Sequence, residues 1–159
     1  MEKRSAWDAI SVLAMLNAIT HHQVWVFDQD EALDFYVGRL GFEVHTDAQM
    51  EVMRWLTVNL PGQPDREVML LVPGPPAVDP EAVEEVRALV AKGYGGTMIL
   101  MTDDCRADYA RFAAAGVEFT EEPTERFYGT DCAMRDPFGN PIRMTQPAPL
   151  PVSGPPQSA

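Results

Sequence analysis

Cysteine is nearly missing from this chain: Cys105 and Cys132 are the two in 159 residues, and they show no CxxC spacing. That excludes a disulfide framework and fits a reducing, cytoplasmic setting. Basic residues are scarce too, with 12 Lys and Arg against 24 Asp and Glu and a formal net charge of −12. A protein that neutralises phosphates needs a basic footprint, so a nucleic-acid partner is excluded, and an anionic membrane surface would repel the chain. No apolar run approaches the roughly 20 residues of a membrane span. Lys3 and Arg4 followed by Ala6–Ala14 faintly resemble a signal peptide, but Asp8 and Asn17 break the apolar stretch. Residues 1–19 are therefore set aside as an N-terminal extension. What is present, 46% hydrophobic and 23% charged residues, is the balance of a globular protein.

Turn residues divide the rest into two similar halves. His21–Phe27 (HHQVWVF) reads as a strand, and Asp28 can cap a helix with Glu31 as its capping-box partner. Ala32, Phe35, Tyr36 and Leu40 recur at helical spacing until Gly41. Phe42–Val44, Met53–Leu60 and Glu67–Val72 then read as strands, giving β-α-β-β-β over residues 20–73. Pro73–Pro80 is too proline-rich for either element, and a helix capped by Asp79 and ended by Gly93 completes a linker over 74–94. From 95 to 146 the order returns: strand Thr97–Thr102, a helix opened by Asp103 and stopped by Gly116, then strands Val117–Phe119, Tyr128–Arg135 and Pro141–Gln146. The tail, 147–159, has five prolines in 13 residues and reads as extended or disordered.

The halves superimpose at a constant offset of 75 residues, with Asp28 on Asp103, Ala32 on Ala107, Gly41 on Gly116 and Glu43 on Glu118. Cap, small helix–sheet residue and C-terminal glycine each have a mechanical reason, so duplication accounts for the match better than recurrence by chance. Strand alternation places Val24 and Val26 under the helix and turns His21, Gln23, Trp25 and Phe27 to the other face. A histidine–glutamine–tryptophan face fits a partly wet cavity or a subunit interface.

The run HHQVWVFDQDEALDFYVGRLGFEV, the segment AAAGVEF and the closing GTDCAMRDPFGNPIRM resemble the glyoxalase/bleomycin-resistance/extradiol-dioxygenase (vicinal oxygen chelate) superfamily over roughly Thr20 to Gln146. The resemblance implies an α+β fold: two tandem βαβββ modules forming an eight-stranded open barrel around a small-molecule cavity, often as a homodimer. It also implies four inward metal-ligand positions. These fall on His21, Thr97, Arg143 and, on the fourth strand, Leu70, with Glu67 as a displaced candidate. One good ligand in four does not make a site. No cofactor is expected, and a divalent metal is disfavoured.

His21 is thus a candidate acid/base, and Gln23, Trp25, Glu67, Thr97, Tyr128 and Arg143 are candidate ligand contacts. Arg143 either pairs with an inward acid such as Glu67 or grips a ligand anion. His22 reads as a half-exposed strand-end residue. Cys105 and Cys132 lack an activating partner at a recognisable spacing. Glu121–Glu122 read as solvated charges, and the methionines on the strands read as core. Three functions remain open: a glyoxalase-like lyase, isomerase or oxygenase acting on a small anionic or aromatic molecule, a non-catalytic protein that sequesters a small aromatic or cationic compound, and a structural or regulatory dimer with no ligand.

Overall fold

The computed structural model describes residues 16–149; the signal-like stretch and the tail beyond 149 lie outside the described residues. Two four-stranded sheets carry the architecture. The first contains β1 (His21–Trp25), β2 (Glu43–Gln49), β3 (Arg54–Asn59) and β4 (Glu67–Leu71) in the order β1-β4-β3-β2. The second contains β5 (Met98–Met101), β6 (Glu118–Arg126), β7 (Gly129–Arg135) and β8 (Pro141–Pro147) in the order β5-β8-β7-β6. In each, the first strand runs parallel to the last and the other pairings are antiparallel. The chain is therefore α+β, built from two βαβββ modules, with the sheets as separate hydrogen-bonded ladders. Helix α1 (Gln29–Leu33) runs into a π-helical segment, Asp34–Arg39; α2 (Val83–Ala91) lies in the linker and α3 (Cys105–Ala114) in the second module.

Several boundaries move from their expected places. Helix α3, the helix of the second module, is capped by Asp104, which accepts from the Ala107 N–H, and not by Asp103. Asp28 caps the first helix by accepting from the N–H groups of Asp30 and Glu31. Both helices end at a glycine in the left-handed region, Gly41 at φ 80° and Gly116 at φ 84°. The first helical segment is thus one residue longer, and its π turn absorbs the surplus: the Leu40 N–H reaches back five residues to the Phe35 carbonyl at 3.0 Å. Asp79 makes no side-chain cap bond, and a 3-10 turn, Pro80–Ala82, precedes α2. Strands β2 and β6 run several residues past the short apolar runs that announced them. Phe27 leaves the strand and packs edge-on against Phe138 at 5.5 Å.

One core serves both modules. Val24, Val26, Phe35, Tyr36, Leu56, Val58 and Leu70 from the first join Met98, Phe112, Met134, Ile142 and Met144 from the second, each contributing about 1.5–3 kcal/mol on burial. Met50 and Met101, by contrast, are exposed. Polar bonds latch the modules together. The Tyr36 hydroxyl donates to Asp136 Oδ2 at 2.8 Å, Asn140 Nδ2 donates to the Trp25 carbonyl at 2.8 Å, and Arg39 donates to the Gly116 carbonyl at 3.1 Å. Burial raises the Asp136 carboxyl above its ordinary range despite the donors from Asn140, Tyr36 and Phe138, and burial beside that carboxyl raises the Tyr36 phenol. With the helix-side residues of β1, β4, β5, β7 and β8 spent on this core, the opposite sheet faces are free to carry chemistry.

Candidate functional site

The site begins at the paired ends of β1 and β4. Their register sets His21 opposite Glu67 and Gln23 opposite Met69, so His21 and Glu67 share the face turned away from the helix. His21 Nε2 stands 3.5 Å from Glu67 Oε2. A second imidazole arrives from β2, where the pairing with β3 slips between Val44 and Thr46. The extra residue of that bulge is His45, and its Nδ1 lies 3.2 Å from the same Glu67 oxygen. Threonine hydroxyls sit against both rings: Thr20 Oγ1 is 2.8 Å from His21 Nδ1, and Thr46 Oγ1 is 2.9 Å from His45 Nδ1. Trp55 meets His21 edge-on at 6.1 Å. The Glu67 side chain is 14% exposed.

A cavity of about 460 Å³ opens beside this cluster, where the β1–β4 edge meets β5. Phe42, Leu60, Val68, Met98 and Leu100 form its apolar body, while His21, His22, Arg66, Glu67 and Thr97 supply polar groups. All three histidines of the chain therefore stand at one end of one sheet. A volume in the range of about 300–1,000 Å³ with a few polar groups is typical of small-molecule sites.

Of the seven residues expected to form a site, the cavity unites His21, Glu67 and Thr97. Gln23 and Trp25 share the His21 face of β1, Gln23 exposed and Trp25 half-buried. Arg143 and Tyr128 belong to a different cluster on the second sheet. There Arg143 grips Asp131 with two N–H groups at 2.7 and 2.8 Å and reaches Glu121 at 3.3 Å. The partner of Arg143 is thus not Glu67, and Glu121 is a strand residue bonded to Arg143 and Arg126, not a solvated loop charge. Arg143 holds the Asp131 carboxyl below its ordinary range against the opposing effect of burial, with Tyr128 and Arg126 assisting. Its charge is spent internally. An arginine so committed leaves little for a ligand anion.

The residues at the four metal positions do not fit an ion. Leu70 is fully buried on the helix face, and the register puts Glu67 in its stead across from His21. The second module offers Thr97, with no strong donor, and Arg143, a cation. Among the described residues no three His, Cys, Asp or Glu side chains group so as to hold a metal ion. The thiols offer no nucleophile either. Cys105 and Cys132 are fully buried with their sulfurs 3.7 Å apart, and burial raises both, Cys132 to about 12. Among the described residues no helix is long and apolar enough to cross a membrane.

His45 is the residue that strand alternation misses, because a bulge leaves no mark in the hydrophobic pattern. Asp131 escaped for a related reason: its partner lies 12 residues away across a hairpin.

Known proteins are similar to this chain. UcmS2, in its crystal structure, is 40% identical, with a TM-score of 0.78 over 82% of this chain and 98% of that one. TnmS3, described as an antibiotic binding protein from Streptomyces sp. CB03234, is 30% identical with a TM-score of 0.68, covering 84% of this chain and 98% of its own. The uncharacterized protein YurT of Bacillus subtilis (strain 168) is 35% identical over 123 residues, 77% of this chain and 94% of YurT. The family profile matches residues 18–144, spanning both sheets and the linker helix. Paired βαβββ modules, the closing Asp136–Asn140 turn and these relatives agree, and the chain belongs to the Glyoxalase/Bleomycin resistance protein/Dioxygenase superfamily.

Proposed function

We propose that this protein binds and sequesters a small, largely apolar or aromatic organic molecule in the cavity at the sheet junction. The observation that carries the reading is the cavity itself, about 460 Å³ with an apolar body and polar groups gathered at the ends of β1 and β4. Apolar contact supplies affinity there and the few polar groups supply orientation. The antibiotic-binding description of TnmS3, 30% identical, supports the same reading. A second reading, metal-independent acid–base chemistry of the lyase or isomerase kind, has one specific support, the His21–Glu67–His45 cluster beside the cavity.

Homodimerisation belongs with this proposal. Ile99 and Met101, on the face of β5 turned from the core, are 65% and 64% exposed, and Phe127 at the β6–β7 hairpin is almost bare. Apolar side chains so placed favour a second copy as cover. Residence in the cytoplasm is supported by the two buried thiols, unbonded at 3.7 Å.

Native mass spectrometry of the gently purified protein, with calorimetric titration of an aromatic panel, tests the reading. The expected result is one ligand per subunit at micromolar Kd or better, about −8 kcal/mol, lost when Leu60→Trp fills the cavity. Equal binding by wild type and Leu60→Trp refutes the site. Consumption of the bound compound shifts the choice to the enzymatic reading, and sedimentation equilibrium reports the dimer.

A further inference from the structure

The Glu67 carboxylate stands apart from the molecule's other largely buried acids. Asp131 receives two N–H bonds from the Arg143 guanidinium. Asp136 receives the Tyr36 hydroxyl, Asn140 Nδ2 and the backbone N–H groups of Phe138 and Asn140. Glu67 has neither an arginine nor a lysine against it among the described residues. Its neighbours are the two imidazoles at 3.2 and 3.5 Å, which count as countercharges only when protonated. Both separations exceed the roughly 2.7–2.9 Å of a charged N–H···O bond. A carboxylate removed from water to this degree is costly without a cation.

We propose that Glu67 is the anchor for a positively charged nitrogen on the bound molecule, so that the ligand class is an apolar or aromatic amine. The inference rests on the cavity reading above and names the chemistry of that site. Further observations carry it beyond the missing partner. The carboxylate lines the cavity whose body is Phe42, Leu60, Val68, Met98 and Leu100, so one molecule can set its apolar part among them and its amine on Glu67. The bulge at His45 brings a second ring to the same oxygen and walls the carboxylate laterally. Arg66 also lines the cavity but is exposed, and no ion pair joins it to Glu67. The net charge of −12 adds long-range attraction for a cation. Arg143, the residue a ligand anion would seek, is already paired.

Three probes of one size separate charge from shape: naphthylmethylamine, naphthylmethanol and naphthoate, titrated calorimetrically at about pH 8, above the ordinary range of a free imidazole. The amine is expected to bind wild type about 10- to 100-fold more tightly than the alcohol, with naphthoate weakest. Glu67→Gln keeps the shape and should bring the amine down to the alcohol's affinity while leaving the alcohol unchanged. Glu67→Asp, should the glutamine variant fail to fold, should keep part of the preference. Leu60→Trp should weaken all three together. Equal binding of amine and alcohol to wild type, or an amine preference that survives Glu67→Gln, overturns the anchor and leaves the cavity standing. Failure of all three to bind wild type overturns the cavity reading and the anchor with it.

Discussion

The helix-free faces of the two sheets present a carboxylate each, in opposite states. On the second sheet Asp131, with a side chain 2% exposed, is clasped by Arg143, and Glu121 and Arg126 complete a lattice. On the first, Glu67 meets imidazoles alone and looks into a cavity. The backbone frames are copies, so the difference comes from a handful of side chains. A carboxylate saturated by donors stabilises the fold; one left short of them is available to something else.

The largest effect expected from disturbing this contrast is at Arg143. Arg143→Leu leaves Asp131 buried with Arg126 at 3.7 Å as its remaining cation, and should cost about 2–3 kcal/mol in urea unfolding, a value reduced because the Arg143 side chain is one-third exposed. The pH dependence follows from the depressed Asp131 carboxyl. A depressed acid contributes stability that is present above its unfolded pKa and lost as pH falls through its folded pKa. The difference between wild type and Arg143→Leu should therefore hold from about pH 7 to pH 4 and shrink below that; a difference that grows on acidification would contradict the assignment.

Tyr36→Phe comes next. It removes one donor from Asp136 in the buried seam between modules, and about 1–1.5 kcal/mol is expected. Glu121→Gln should cost about 0.5 kcal/mol, since its partners are partly solvated. The smallest stability change sharpens the contrast most: Glu67→Gln should lie within about 0.5 kcal/mol of wild type by thermal denaturation. Were it as damaging as Arg143→Leu, Glu67 would be a structural acid like Asp131.

Much of the fold was legible because its signals are local. Caps and helix-ending glycines obey short-range rules, and the alternation of Val24 and Val26 against Gln23 and Trp25 held in the structure. Local equivalence also misled. Asp103 and Asp104 are both good caps, and the constant offset favoured the wrong one, because a one-residue difference in helix length was hidden in a π turn. Of the candidate site residues, His21, Glu67 and Thr97 line one cavity, while Arg143 and Tyr128 lie in another cluster. The partner of Arg143 and the arrival of His45 depend on the register of neighbouring strands, which is decided by packing over the whole sheet and leaves no trace at a single position.

The wide turn at Asp34–Arg39 has a consequence for how the two repeats tolerate change. By storing a surplus residue as extra girth, it lets one copy gain chain length while the strands that follow keep their phase. Deleting a residue there would restore an ordinary helix and leave the chain beyond it in the same phase. Arg39, within that turn, donates to the Gly116 carbonyl of the other module. The two halves thus share one frame while differing in length, the extra residue of the first being held within a single turn.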